Sequence, residues 1–127
     1  MATADEKLEV AEGHLERVQE AWEEPDWADL SFYGFYGLEA AVEAAAIHLD
    51  LPTPKNHWGK VETARELHRN HAFPDIEQLL SDLNDARKAK AYGDDEAPDL
   101  DAEETASSIK QYVDAVRALI KAKDDSE

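Results

Sequence analysis

The sequence contains no cysteine, and this absence removes several kinds of chemistry at once. Disulfide bonds, zinc–thiolate centres and thiol nucleophiles all need a cysteine sulfur, so none of them is expected. Glycine-rich phosphate loops, Gly-x-Gly patterns and the serine elbow of hydrolases are missing as well. The sequence therefore predicts neither a cofactor nor a metal centre.

Long apolar runs are also lacking. The longest largely apolar stretch, residues 38–51, is too short and carries too many acids to span a bilayer. The first ten residues are acidic and lack the basic-then-apolar pattern of a secretory signal peptide. We therefore expect a cytoplasmic, soluble protein with no membrane partner. A chain of 127 residues has the length of one domain.

Positive charge is scarce, because 13 lysines and arginines stand against 30 acids and give a net charge of −17. Such a balance repels nucleic acid at long range, since affinity for phosphate backbones comes mostly from cations. A solvated acidic surface, suited for instance to a salt-rich cytoplasm, explains the composition most simply. A basic partner protein and nucleic-acid mimicry are the alternatives. Any nucleic-acid function would depend on a local basic patch.

The spacing of the apolar residues predicts an all-α fold, an up-and-down bundle of five helices in a single domain over residues 1–127. Trp27 and Leu30 are assigned to the connector between the first two helices, and the charged tail over 121–127 is expected to fray. The predicted helices cover residues 5–24, 31–50, 55–70, 75–92 and 101–122.

Small and aromatic residues mark the second predicted helix. Five alanines between positions 40 and 46 leave little side-chain bulk, so another helix can approach closely there. Gly34 and Gly37 indicate close packing or a bend, because glycine is unfavourable inside a helix. The aromatic residues, which we interpret as core rather than as a platform for stacking bases, are Phe32, Tyr33, Phe35 and Tyr36.

Capping residues mark the fourth and fifth predicted helices, while the third has a thin apolar side. Asp75 with Gln78 predicts a capping box for the fourth helix, and Asp101 predicts an acidic cap for the fifth. The apolar side of the third helix is thin and consists of Trp58, Val61, Ala64 and Leu67.

Acid and base side chains recur at helical spacing without forming a recognisable motif. His68 and His71 could share one helix face, but a metal ion would need a third ligand. Carboxylates four residues apart, such as Glu39 and Glu43, resemble an acid–base pair. In a chain this acidic, such pairs are expected by chance.

Arg87 is the strongest functional candidate. Leu80 and Leu83 mark the buried side of the fourth helix, and the same spacing places position 87 on that side. A buried guanidinium is costly unless something pairs with it, so a partner, an interface or a site is expected. The alternative is an arginine with a buried stem and an exposed head. Lys88 and Lys90 make this helix end the one locally basic spot, and a twofold dimer would bring two such spots together.

From about Asp29 to Ile120 the chain resembles the HEPN superfamily of helical proteins, particularly its compact single-domain members. Three segments carry the resemblance, and their order and spacing are similar to those of the family. They are SFYGFYGLEAA at 31–41, similar to the family's second helix, PKNHWG at 54–59, similar to the turn before its third helix, and LNDARKAKAYGD at 83–94, similar to the segment with its Arg-x(4–6)-His motif.

The resemblance implies a homodimer that joins its motif helices and acts as the toxin half of a toxin–antitoxin or defence module. Active members are metal-independent endoribonucleases, often paired with a minimal nucleotidyltransferase antitoxin. Arg87 takes the position of the arginine that orients or neutralises the scissile phosphate. Tyr92 stands where the motif has its histidine, as a hydroxyl donor or positioning group, and Lys88 and Lys90 are the expected RNA contacts. The alternative is a catalytically silent HEPN dimer that binds a nucleotide or a partner protein.

Overall fold

A computed structural model describes the backbone of residues 3–23, 27–53, 55–91, 93 and 101–125, and their side chains except those of 22, 23, 90, 91 and 123–125. In this part of the chain no helix combines the length and the apolar content that a membrane crossing needs. The described residues form five α-helices and no strand. The helices are α1 Ala4–Glu23, α2 Trp27–His48, α3 His57–His71, α4 Glu77–Ala91 and α5 Ala102–Asp125.

The predicted all-α helical bundle is confirmed, and α2 is its central helix. It packs against each of the other four helices, while α1 also packs against α5 and α3 against α4. The five alanines between positions 40 and 46 of α2 are at most 5% exposed, as expected for a helix that others approach closely. The largest fully buried side chains include Leu30, Leu38, Leu67, Leu80, Leu83, Ile109 and Tyr112.

The two glycines of α2 lie where neighbouring helices come nearest. A Cβ atom on Gly34 would stand 2.8 Å from Cδ1 of Ile109 on α5. A Cβ atom on Gly37 would stand 3.1 Å from Cβ of His14 on α1. The prediction of close packing at these positions is therefore confirmed.

Two predicted boundaries are wrong. Helix α2 begins at Trp27 rather than at residue 31, because Leu30 continues the buried face of Gly34 and Leu38 by one further turn and is only 1% exposed. The tail that was expected to fray from residue 121 is helical through Asp125. Residues 121–125 contain neither glycine nor proline, so nothing in them stops the helix.

The predicted caps have different outcomes. Asp101 caps α5 as expected, since its Oδ1 accepts a 2.9 Å hydrogen bond from the backbone N–H of Glu104. The capping box before α4 is wrong. Oδ1 of Asp75 accepts from the N–H of Glu77 at 3.1 Å, whereas the side-chain amide of Gln78 donates to a carboxylate one turn later.

Candidate functional site

Arg87 lies on α4 with its guanidinium over two aromatic rings of α2. The guanidinium carbon is 4.9 Å from the ring centroid of Phe35 and 5.5 Å from that of Tyr36. Nη2 donates a 2.7 Å hydrogen bond to Oδ1 of Asn84, one turn earlier on the same helix. A cation–π contact contributes roughly 0.5–2 kcal/mol, depending on how far it is desolvated. These contacts hold the half-buried arginine in one place.

The positive charge of Arg87 has no carboxylate partner among the described residues. Its Nε–H is buried and donates to no acceptor within the same part of the chain. By contrast, Arg17, Arg65 and Arg117 each form an ion pair with an acid. The partners expected for an inward-facing arginine are therefore, within the described residues, two aromatic rings and an amide, and no described acid neutralises its charge.

The other predicted site residues follow Arg87 along α4. Lys88 is exposed, as is Asp85 three residues before it, so this surface carries both signs of charge. Tyr92 and the side chain of Lys90 lie outside the described residues. Of the four predicted site residues, the structure thus places Arg87 and Lys88.

A row of aromatic rings runs along the first half of α2, and Arg87 lies over two of its members. Neighbouring rings meet edge to face, with centroids 5.1, 4.8 and 5.2 Å apart. His14 of α1 contacts one end of the row at 5.6 Å, and His57 of α3 contacts the other at 5.4 Å. This aromatic row consists, in order of contact, of Tyr33, Phe32, Tyr36 and Phe35.

Burial varies along the row, so interpreting all four rings as core is only partly right. Phe35 is 3% exposed, but Phe32 is 45% exposed. Trp58 on α3 is 76% exposed, which corrects its assignment to the apolar side of that helix. The rings of Phe32 and Trp58 therefore both face solvent.

Glu39 and Glu43, interpreted from the sequence as a chance pair, form a network with lysines from two other helices. Oε2 of Glu43 is 2.8 Å from Nζ of Lys7, and Oε1 is 2.7 Å from Nζ of Lys60. The same Lys60 is 3.6 Å from Oε1 of Glu39, which is only 6% exposed. The network joins α1, α2 and α3 beside the aromatic row.

The charges in this network reinforce one another. Burial alone would raise the pKa of Glu43, but its hydrogen bonds and charge interactions with Lys60 and Lys7 together outweigh burial and hold the pKa below its ordinary value. Burial would likewise lower the pKa of Lys60, yet its interactions with Glu43 and Glu39 raise it. Both side chains therefore remain charged at neutral pH.

His57 connects the aromatic row to this network. It is the first residue of α3, whose start is fixed by Asn56, since Oδ1 of Asn56 accepts a 2.6 Å hydrogen bond from the N–H of Gly59. The imidazole packs on Phe35, and its Nδ1 is 3.6 Å from Oε2 of Glu39. That distance is too long for a hydrogen bond, so the buried Nδ1 has no hydrogen-bond partner in the described part of the chain.

Two open cavities adjoin these residues. One, of about 300 Å³, lies over the ion-pair network and is lined by Lys7, Val10, His14, Phe32, Tyr36, Glu39, Ala40, Glu43 and Lys60. The other, of about 350 Å³, lies between α3 and α4 and is lined by His57, Trp58, Val61, Asp75, Glu77, Gln78 and Ser81.

The site thus combines an arginine that no acid of the described residues pairs with, exposed aromatic rings and a histidine beside a buried carboxylate. The sequence predicted the arginine, but it could not place His57 near it and assigned Glu39 to a chance pair, because no local motif marks either residue. The chain matches no protein-family model, and neither a curated protein nor a solved structure matches it.

Proposed function

We propose that this protein is the ribonuclease-like toxin half of a HEPN-type toxin–antitoxin or defence module. It would act on RNA as a homodimer, without a metal ion, and be neutralised by a minimal nucleotidyltransferase. The observation that carries the proposal is Arg87, a half-buried guanidinium that no described carboxylate neutralises in a chain with 30 acids. Leaving such a cation unpaired costs folding free energy. Groups that are kept in the fold at such a cost are common in binding and catalytic sites.

The contacts of Arg87 suit a phosphate ligand. Phe35 and Tyr36 cover a face of the guanidinium, and Asn84 occupies one Nη2–H, so the side chain is oriented before a ligand arrives. An oriented guanidinium binds phosphate oxygens with little further loss of side-chain entropy. In the proposed reaction it neutralises the negative charge that builds up on the scissile phosphate.

A homodimer would provide more local positive charge against the net negative charge of the chain. With a net charge of −17, a single arginine and the exposed Lys88 hardly offset the repulsion of an RNA backbone. A twofold interface through α4 would place two such cationic pairs side by side. Lys88 and Lys90 would then contact phosphates that flank the cleaved bond.

A second candidate function is a catalytically silent HEPN dimer that binds a nucleotide or a partner protein. The acidic composition favours it, because one nucleotide is repelled far less than a polynucleotide. The exposed rings of Phe32 and Trp58 offer faces on which a single base can stack. In this case Arg87 would clamp the nucleotide phosphate and no bond would break.

Replacement of Arg87 by alanine and by lysine tests the two candidates. The toxin assignment predicts that the wild type cleaves RNA and arrests growth, and that co-expressed nucleotidyltransferase antitoxin relieves the arrest. Arg87→Ala should abolish cleavage and arrest without lowering the unfolding temperature substantially, and Arg87→Lys should restore little, because lysine lacks the bidentate fork. Arg17→Ala is the matched control, since Arg17 is an exposed arginine paired with Glu20.

The outcomes separate the candidates. Undiminished growth arrest by Arg87→Ala would refute the ribonuclease role of this residue. A wild type that cleaves no RNA, yet binds a nucleotide with an affinity that falls in Arg87→Ala, would establish the second candidate. For the RNA-binding role, Lys88→Ala should reduce the slope of log K against log salt by about 0.7 if it contacts one phosphate of a single strand.

A further inference from the structure

The cavity over the ion-pair network is apolar at one end and charged at the other. Its apolar end is formed by Phe32 and Tyr36 in the first half of α2 and by Val10 of α1. Phe32 and Val10 are 45% and 47% exposed, so apolar surface is open to solvent there. The charged end consists of the network residues Lys7, Glu39, Glu43 and Lys60. A concave surface with apolar walls and a few converging polar groups is typical of small-molecule sites.

Glu39 lines this cavity as a buried carboxylate to which no described residue donates a hydrogen bond. Its side chain is only 8% exposed, and the nitrogen atoms within 4 Å of it are Nζ of Lys60 and Nδ1 of His57, each at 3.6 Å. That distance is too long for a hydrogen bond. A buried carboxylate without a donor is costly, so an N–H group that a ligand brings into the cavity would be stabilised there.

Lys7 provides the complementary group on the opposite wall. An ammonium group has three N–H donors, and the one described partner of Lys7 is Glu43, at 2.8 Å. The Lys7 side chain is 33% exposed and lines the cavity, so its remaining donors are accessible to an anion that enters there.

The balance of charge in the cavity favours a ligand that carries both signs. The network contains two lysines and two glutamates, and its net charge is therefore zero. Burial lowers the pKa of His14, which also lines the cavity, so this imidazole is neutral at pH 7. A ligand with a single charge would leave an excess charge in a partly buried place. A zwitterion would not.

We propose that this cavity binds a free α-amino acid with an aromatic or branched apolar side chain. The ammonium group of the ligand donates to Glu39, its carboxylate accepts from Lys7, and its side chain lies against Phe32 and Tyr36. Seven residues of helix separate Phe32 from Glu39, about 10 Å along the axis, and phenylalanine with its contacts at both ends spans a similar length. The cavity volume of about 300 Å³ suits a ligand of this size. The proposal is independent of the ribonuclease function.

An NMR titration of the ¹⁵N-labelled protein with compounds that share a phenyl group tests the need for both charges. L-Phenylalanine has both charges, phenethylamine only the ammonium and 3-phenylpropionate only the carboxylate. L-Phenylalanine should bind with a Kd on the order of 0.1–1 mM and shift the amide signals of the cavity walls. Each compound with a single charge should bind at least about tenfold more weakly. Glycine, which lacks the apolar group, should cause no saturable shift.

Two substitutions separate the two ends of the ligand. Glu39→Gln should weaken the binding of L-phenylalanine at least about tenfold, and that of phenethylamine as well, because both ligands lose the partner of their ammonium group. Lys7→Met keeps most of the stem. It should weaken the binding of L-phenylalanine about tenfold but not that of phenethylamine, which has no carboxylate. Glu62→Gln is the matched control, since Glu62 is an exposed acid of α3 that does not line the cavity.

The contrary results are equally definite. A wild type that shows no saturable shift with L-phenylalanine up to about 10 mM would overturn the proposal. Equal affinities for the three phenyl compounds would also overturn it, because they would show apolar contact without recognition of charge. If Glu39→Gln fails to fold, Lys7→Met and the series of compounds decide, since both leave Glu39 in place. RNA cleavage is not measured, so none of these results bears on the ribonuclease function.

Discussion

Tyr112 provides a prediction whose size follows directly from the structure. Its side chain is fully buried on α5, and its hydroxyl has no hydrogen-bond partner within the described part of the chain. A buried hydroxyl without a partner costs about 1–3 kcal/mol relative to its hydrated state. Tyr112→Phe removes that oxygen and keeps the ring. We therefore expect the substitution to raise the free energy of unfolding by about 1 kcal/mol at neutral pH, and Tm by about 3–5 °C.

The pH dependence gives an independent measure of the same group. Burial raises the pKa of Tyr112 above its ordinary value of 10.0, so the unfolded chain ionises there before the folded one does. Above that pH the folded state binds more protons than the unfolded state, and the stability contributed by the neutral phenol is lost as the pH rises. The loss approaches about 1.4 kcal/mol per pH unit, and Tyr112→Phe should remove it.

Chemical denaturation followed by circular dichroism, at neutral pH and at pH values above 10, tests both parts. Tyr33→Phe is the matched control, because Tyr33 is only half-buried and its substitution should change stability by less than about 0.5 kcal/mol. If Tyr112→Phe were destabilised by 1 kcal/mol or more, the hydroxyl must have a partner, for instance a buried water. Parallel loss of stability in Tyr112→Phe and the wild type at alkaline pH would show that the phenol is not buried.

Three further predictions concern other parts of the bundle. Gly13→Ala should raise the free energy of unfolding by about 1 kcal/mol, because Gly13 lies in α1 with nothing within 4 Å of the added Cβ. The gain is measured as a higher denaturant midpoint at an unchanged m-value. Glu43→Gln should flatten the fall in Tm on acidification. The lowered pKa of Glu43 means that its ion pairs stabilise the fold above the ordinary value of 4.5 and are lost as the pH falls through the folded value. Phe32→Ser should cost about 1–2 kcal/mol in thermal unfolding, since Phe32 is 45% exposed but meets the rings of Tyr33 and Tyr36 edge to face.

Controls and contrary results are available for each of these. Gly37→Ala should gain less than Gly13→Ala, because the new methyl group meets His14; equal gains would mean that the two helices are not in close contact. An unaltered acid limb in Glu43→Gln would show that its lysine partners do not depress its pKa. A loss of stability below about 0.5 kcal/mol in Phe32→Ser would mean that its contacts with Tyr33 and Tyr36 contribute nothing.

The fold was largely predictable because each helix has its own apolar face, which shows in the spacing of apolar residues within that helix alone. Apolar spacing within α3 and α4 located both helices to within two residues, and the register of α4 placed Arg87 on its partly buried side. The start of α2 was not predictable from that spacing. Trp27 and Leu30 form too short a segment to show a period, and only their packing against other helices reveals that they are helical.

The site was predictable only at Arg87. Periodicity tells which face of a helix is buried, but it does not tell which residues of other helices lie opposite. The partners of Glu43 are Lys7 on α1 and Lys60 on α3, so local spacing could not distinguish this acid from its many exposed counterparts. His57 acquired its neighbours in the same way, through the docking of α3 on α2.

The central position of α2 has a consequence for hydrogen exchange. A helix that contacts all four others loses its amide protection only when the whole domain unfolds, so the amides of residues 38–46 should exchange at the rate of global unfolding. Helix α3 has much smaller interfaces, and its amides should exchange through a separate, lower-energy opening. In that opening His57 would leave Phe35 and Glu39, and Trp58 would move with it, while the rest of the core stays closed.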